Sequence, residues 1–362
     1  VKKTILFLHP SAGIGGAEEV LVAAVRGLAG EFEVIVALLA RGELEARLRD
    51  AGAEVIVDEL PGRRSIPLYP LAARRLARTL RGRGVAVVHA NQTKVVLLGI
   101  PLAKRLGAPL LWMKHGHDFD RTAPRFLGPR CDRIVCVTQA VAATFPASCR
   151  DRISIVHPGV ELPETTTPPG AEPIVLSVGT LIPTKGHDTL IRAIARLQDM
   201  GVAARLEIAG SEHRVARGHL AELERLAAEL GVSELVGFLG WVSDMPAAYA
   251  RCRVVGLASR PAREGVPAEG APLALLEAMA HARPIVAPDE AGIAEIVADA
   301  GTLIGEPTAG GFAEALAPYL RDRDLAVAGG EAGRARVEEG FTIDRMVADL
   351  RATYGELMGT PR

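Results

Sequence analysis

The segment EGAPLALLEAMAHARPIVAPDEAGIAEIV sets Glu269 and Glu277 eight residues apart, the first at a loop-to-helix turn and the second about two turns into the following helix. A helix start leaves peptide N–H groups without intrahelical partners, so within the turn Gly270, Ala271, Pro272, Leu273 the amides near Ala271 and Leu273 are offered to an anion. Two carboxylates flanking that turn can accept hydrogens from sugar hydroxyls on either side of a diphosphate. Upstream, SVGTLIPTKGHDTLIRA adds Lys185 in a Pro/Gly loop just before a helix, where an ammonium group reaches phosphate as a point charge. One glutamate alone reads as a solvated turn or a capping residue. Two glutamates, a lysine and a helix start together read as an anion site.

A second glycine-rich turn, HPSAGIGGAEEV, follows the apolar run TILFL. It matches GxGxxG poorly, and EVIVALLARGE ends in Ala40 and Arg41 where a nicotinamide site needs an acid for the ribose. What remains is a helix N-terminus with amides exposed beside Gly15 and Gly16, suited to an anion. HGHDFD carries a DxD pattern, Asp118 and Asp120, which suggests a divalent metal. A lysine and a helix dipole already supply the positive charge such a metal would bring, so a loop without metal is expected. His115 and His117 compete for a role in this loop, whereas His213, His219 and His281 lack ligand spacing and read as surface residues.

These residues need a scaffold, and the chain alternates short apolar runs with helical patterns from end to end. TILFLHP, EVIVALL, AEVIVDEL, VAVVHAN, PLLWMKHG, DRIVCVT and ISIVHPG read as parallel strands covered on both faces. After the Pro/Thr-rich stretch ELPETTTPPGAEP the alternation restarts with IVLSVGT, ARLEIAG, VGFLG, VVGLAS, PIVAPD and GTLIGE. This predicts an α/β chain with two doubly wound, Rossmann-like domains facing across a cleft, over residues 1–162 and 174–340, joined by a linker at 163–173. FTIDRMVADLRATYGELM in the tail, 341–362, has helical periodicity and is expected to pack back on the first domain.

At 362 residues and 23% charged, the chain is long enough for two domains and too apolar for disorder. Its net charge of −1 hides an asymmetry: 23 Lys and Arg face 16 Asp and Glu over residues 1–165, and 19 face 27 beyond. Part of the basic surplus sits in PLYPLAARRLARTLRGRG, a solvated helix face or an attraction to an anionic acceptor or membrane surface. Nothing calls for a nucleic-acid partner. The four cysteines, Cys131, Cys136, Cys149 and Cys252, have neither CxxC nor zinc-ligand spacing, as expected of reduced core thiols in a cytoplasmic protein.

Taken in order, GGAE, HGHD, VGTLIPTKG, VGFLGWVSD, EGAPLALLEAMA and AGIAEIV resemble the retaining glycosyltransferases of family four, which have the GT-B fold. The likeness spans nearly the whole chain, and the paired-glutamate segment is its most specific part. It implies transfer of a hexose-type sugar from a nucleotide-diphosphate sugar, UDP being the family's commonest nucleotide, to a glycan, lipid-linked or small natural-product hydroxyl. It also implies retention of configuration and no cofactor or metal. Residue by residue, the resemblance implies that Lys185 neutralises the diphosphate, that Glu277 binds the ribose, and that Glu269 holds hydroxyls of the transferred sugar. Phe238 to Gly240 would receive the base, Gly15 and Gly16 would lie by the donor phosphates or the acceptor, and His115 would face the anomeric centre. Thr180 stands where the family often has an arginine, and EGAP replaces the more usual EGFG. Arg260 and Arg263, in the long segment SRPAREGVPAEG, are the candidate compensating cations. The alternatives are a GT-B-fold sugar-nucleotide epimerase and an NAD-dependent oxidoreductase. A basic first domain also leaves room for peripheral contact with the inner face of a membrane.

Overall fold

The computed structural model describes residues 2–60, 63–117, 119–120, 122–212, 216–261 and 269–359, without the side chains of 63 and 64. Asp118, His213 and Arg263 therefore lie outside the described residues. The chain divides into two compact units, 1–159 together with 343–362, and 160–342.

The first unit is built on β1 (Thr4–His9), β2 (Glu33–Leu38), β3 (Glu54–Val57), β4 (Val85–Asn91), β5 (Leu110–Lys114), β6 (Arg133–Cys136) and β7 (Ile153–Ile155). All run parallel in the order β3-β2-β1-β4-β5-β6-β7. β1 is buried along its whole length, which is why TILFLH has almost no polar alternation. The second unit uses β8 (Ile174–Val178), β9 (Arg205–Ala209), β10 (Val236–Gly240), β11 (Val254–Gly256), β12 (Ile285–Pro288) and β13 (Thr302–Ile304), in the order β10-β9-β8-β11-β12-β13. Successive strand residues feed opposite faces. Val175 and Val254 join a cluster with Leu190, Ile194 and Phe312, while Leu176 and Val255 join one with Leu276, Met279 and Ile293.

Strand order reverses between β1 and β4 in the first unit and between β8 and β11 in the second. In doubly wound sheets, such a reversal opens a crevice at the carboxyl ends of the two strands. Both groups of candidate residues sit at these two places.

The tail forms the helix Ile343–Gly359 and belongs to the first unit. A Cβ on Gly27 would come within 2.4 Å of Val347, so the glycine lets this helix press against Gly16–Leu28. Arg351 donates to the Gly27 carbonyl at 2.8 Å, and the buried Tyr354 hydroxyl meets Nδ1 of His89 at 2.7 Å. The stretch 163–173 departs from the expected free linker. Its carbonyls are gathered by arginines of the second unit: Thr167 by Arg283, Pro169 by Arg323, and Gly170 and Ala171 by Arg253. Prolines remove N–H donors from this stretch but leave its carbonyls, and the guanidinium groups satisfy them. The units part instead at 159/160 and 342/343.

Candidate functional site

In the second unit, β8 ends at Val178 and leads through Gly179 and Thr180 into a short turn that carries Lys185. Gly186 then reverses the chain with φ of 67°, and a Cβ there would lie 1.9 Å from the Ala258 carbonyl oxygen, so only glycine fits. The aliphatic stem of Lys185 lies over Gly179, with Cδ 3.4 Å from where a Cβ would stand. Its ammonium donates to Glu269 Oε1 at 2.5 Å, and the buried Ser259, just beyond β11, donates to the same oxygen at 2.6 Å. Lys185 and Glu269, 84 residues apart in sequence, are thus brought together across the β8–β11 reversal.

The helix after Glu269 begins at Leu273, with Pro272 as its extended cap. Glu277 consequently lies just over one turn into the helix, not two. The fixed proline φ delays the helical start by several residues relative to the loop glutamate. Tyr249 donates to Glu277 Oε2 at 3.2 Å, and its hydroxyl pKa is pushed well above the usual value, by burial first and then by that carboxylate. His281 stacks on Tyr249 with ring centroids 4.9 Å apart, so it is a packed residue. His219 is also buried, against Glu222 at 2.8 Å, which corrects its reading as a surface residue. Gly270 and Glu269 press their carbonyls on Gly292, where a Cβ would approach to 2.5 and 2.7 Å. The AGI segment therefore supports the glutamate turn.

Thr180 is exposed and brings no charge. Arg260 stands close to the Lys185 turn: its amide donates to the Thr184 carbonyl at 2.8 Å and its guanidinium to Asp188 at 2.9 Å. Phe238 and Gly240 lie on β10, two strands from β8. Gly240 has φ of 65° and accepts the Gly210 amide at 2.8 Å.

In the first unit, His9 ends β1, Asn91 ends β4 and His115 follows β5. Their side chains form one hydrogen-bonded chain. His115 Nε2 meets Asn91 Oδ1 at 2.6 Å, Asn91 Nδ2 meets His9 Nδ1 at 3.0 Å, and His9 Nε2 meets Glu18 Oε1 at 2.9 Å. Ser11 donates to the same Glu18 oxygen at 2.6 Å. Burial raises the Glu18 pKa, but the bonds from His9 and Ser11 outweigh it and hold the group at about 2. Burial comes first in lowering His115 to about 4; His9 and Lys114 push the same way and Glu18 pulls the other. His115 lines a concavity of about 470 Å³ together with Ala17, Gln92, Thr93, Lys94, Gly116 and Phe119. Gln92 carries φ of 100° there, a conformation that costs a non-glycine residue on the order of 1–3 kcal/mol and gathers at functional sites.

Gly15 and Gly16 open the helix Gly16–Leu28 beside this chain, with Glu18 and Glu19 in its first turn. Glu19 is held by Arg47 at 2.5 and 2.6 Å. The helix start thus already faces carboxylates. In the HGHDFD loop, Asp120 is occupied by the fully buried Lys114 at 2.6 Å and by His117 at 2.8 Å. His117 therefore braces the loop while His115 lines the concavity. Among the described residues, no group of three or more His, Cys, Asp or Glu could hold a metal ion.

His9, Glu18 and Asn91 in the first unit, and Ser259 and Tyr249 in the second, are the bonded neighbours of the candidate residues that motif reading missed. Glu18 sits inside GGAE, but nothing local announces that it bonds His9 at the end of β1 and through it joins Asn91 and His115.

Comparison with known proteins bears on the family and the fold. The model of Glycosyltransferase Family 4 matches residues 14–164, and that of Glycosyl transferases group 1 matches 161–336. A GDP-mannose-dependent alpha-(1-6)-phosphatidylinositol monomannoside mannosyltransferase of Mycolicibacterium smegmatis is 29% identical over 291 residues, 73% of this chain and 75% of that one. The lipopolysaccharide core biosynthesis mannosyltransferase LpcC of Rhizobium leguminosarum bv. viciae is 26% identical over 322 residues, 84% and 85% of the two chains. Among solved structures, Anabaena Alr3699/HepE in complex with UDP and glucose superposes with a TM-score of 0.83 at 20% identity, covering 98% of this chain and 100% of that one.

Proposed function

This chain belongs to the family 4 glycosyltransferases of the GT-B fold, and from that premise we propose that it moves a mannosyl group from GDP-mannose to a hydroxyl of a lipid-linked or glycan acceptor, retaining the anomeric configuration and using no metal. The expected UDP donor gives way to GDP-mannose because a relative matching 73% of this chain and 75% of its own is a GDP-mannose-dependent enzyme, and a second relative is a mannosyltransferase. The observation that carries the donor site is the Lys185–Glu269–Ser259 cluster at the β8–β11 reversal.

The chemistry follows from those contacts. An arriving diphosphate competes with Glu269 for the Lys185 ammonium. As the ammonium turns to phosphate, the Glu269 carboxylate is released to accept hydrogens from sugar hydroxyls, with Ser259 still orienting it. Cleavage of the anomeric C–O bond places negative charge on the diphosphate, and Lys185 with the amides at the start of Leu273–Ala280 stabilises it. A preorganised donor of this kind is worth roughly 3 kcal/mol in the transition state. Glu277, oriented by Tyr249, accepts from the ribose. Phe238 and Gly240 border the base. Arg260, beside the Lys185 turn, adds positive potential where Thr180 has none. His115 serves the acceptor side near Gly15 and Gly16.

A membrane-lipid acceptor is supported by the surface around Tyr69–Thr79. Ile66, Leu68 and Leu71 are 39%, 45% and 56% exposed, and Arg74, Arg78 and Arg81 stand exposed nearby. Exposed aliphatics edged by arginines suit peripheral contact with an anionic bilayer surface. No helix among the described residues is long and apolar enough to cross a membrane.

The test is a panel of GDP-mannose, UDP-glucose, UDP-galactose and UDP-N-acetylglucosamine, offered with mannosylated and inositol-bearing lipid acceptors and without added metal. GDP release coupled to a new α-anomeric proton signal is expected with GDP-mannose. Turnover with a UDP-sugar alone, a β-linked product, or an epimerised donor without acceptor would overturn the reading.

A further inference from the structure

We propose that Glu18 is a positioning residue for His115, acting through His9 and Asn91 to fix His115 as the tautomer that carries its proton on Nε2. The claim deepens the acceptor-side reading given above and rests on it only for the effect on transfer. Its structural content stands on the hydrogen bonds alone.

The direction of the chain is set at its ends. Glu18 accepts from both Ser11 and His9 at Oε1, so a carboxylate there makes Nε2 of His9 the protonated nitrogen. Asn91 Nδ2 can only donate, so His9 Nδ1, 3.0 Å away, is the accepting nitrogen. That fixes the amide orientation and turns Asn91 Oδ1 toward His115, which must donate from Nε2 at 2.6 Å. Nδ1 of His115 becomes the ring's acceptor, able to take a hydrogen bond from a substrate hydroxyl in the concavity the ring lines. His9 is fully buried and Asn91 is 1% exposed, so water does not compete for the inner links. The lowered pKa values of Glu18 and of His115 agree with this arrangement. Second-sphere partners that choose an imidazole tautomer recur wherever histidine handles protons.

Nitrogen-15 long-range correlation spectra of histidine-labelled protein test the claim, with His115 assigned by its loss in His115→Gln. The expected wild-type pattern at pH 7 is a bare Nδ1 and a protonated Nε2. Glu18→Ala should move His115 toward the opposite tautomer and lower kcat at least tenfold, with the donor KM changed less than twofold. Glu18→Gln, whose amide oxygen still accepts, should restore the wild-type ring signature and most of the lost rate. A wild-type His115 protonated on Nδ1, or an unchanged His115 spectrum in Glu18→Ala, overturns the relay whatever the turnover. A shifted tautomer in Glu18→Ala with His115→Gln at wild-type turnover upholds the relay and overturns the acceptor-side role of His115. Circular dichroism of each variant separates these results from unfolding.

Discussion

At the carboxyl ends of β1 and β4 the first unit gathers two histidines, an asparagine and one deeply held glutamate; at the corresponding ends of β8 and β11 the second gathers a lysine, two glutamates, a serine and a tyrosine. Strand order around the two crevices is the same, so the difference comes from side chains alone. The first crevice is a hydrogen-bond chain with Glu18 held at about 2 at one end and His115 lowered to about 4 at the other. The second holds an ammonium and a carboxylate in direct contact, a pair that the proposed diphosphate would reorganise. One sheet architecture thus yields a site that orients and a site that balances charge. That suits a reaction in which one partner offers a hydroxyl and the other sheds an anion.

Acid should separate the halves most strongly. His89 and His115 in the first unit are lowered to about 3 and about 4. The unfolded chain takes up their protons below about pH 6.5 while the folded one does not, so stability falls as pH drops toward those values. Glu18, held at about 2, contributes stability that is complete above its ordinary value of 4.5 and lost as pH falls toward 2. Each such group costs roughly 1.4 kcal/mol per pH unit within its window. The second unit has His187, lowered to about 4, and His281, lowered by burial and nearby arginines. Hydrogen exchange between pH 6.5 and 4 should show amides of β1 and β4 losing protection before those of β8 and β11. The reverse order would remove the contrast.

Lys185→Ala comes next. It should lower kcat by about 10²- to 10³-fold, the scale of one lost electrostatic stabiliser, and leave the first unit's exchange protection untouched. Full activity would mean the charge is balanced elsewhere, with Arg260 the first candidate. Glu277→Gln keeps the Tyr249 contact but loses the charge. Donor affinity, read by thermal shift, should weaken roughly tenfold, as expected for a hydrogen bond to a charged group. Tyr354→Phe removes the partner of His89 from the tail helix. It should cost about 1–2 kcal/mol in urea unfolding with kcat per folded molecule unchanged, since neither residue lines the concavity. A large kcat loss there would tie the tail to the site.

The strands were legible because parallel strands covered on both faces must be continuously apolar, and all of the apolar runs became β1 to β13 in order. The Lys185 turn was legible too, because it sits beside Gly186, whose φ of 67° and close approach to Ala258 admit no side chain. Glu277 was placed too deep because the helix was counted from the Glu269 turn, whereas it starts at Leu273 behind the Pro272 cap. The acceptor-side chain was hidden. His9, Glu18, Asn91 and His115 have sequence separations set by strand order, and only the parallel register of β1, β4 and β5 closes them to hydrogen-bond distance. His219 was misread because its burial depends on tertiary packing that no local pattern records. The arginines that fasten 163–173 were invisible for the same reason.

The central claim is that the Lys185 crevice binds a guanosine diphosphate sugar, and calorimetric titration tests it most directly. GDP-mannose and UDP-glucose would each be titrated into the wild-type chain and into Lys185→Ala. The account predicts saturable GDP-mannose binding, weaker or no UDP-glucose binding, and at least a tenfold loss of GDP-mannose affinity in the variant. Equal affinity of the variant and the wild type for GDP-mannose, or a clear preference for UDP-glucose, would contradict it.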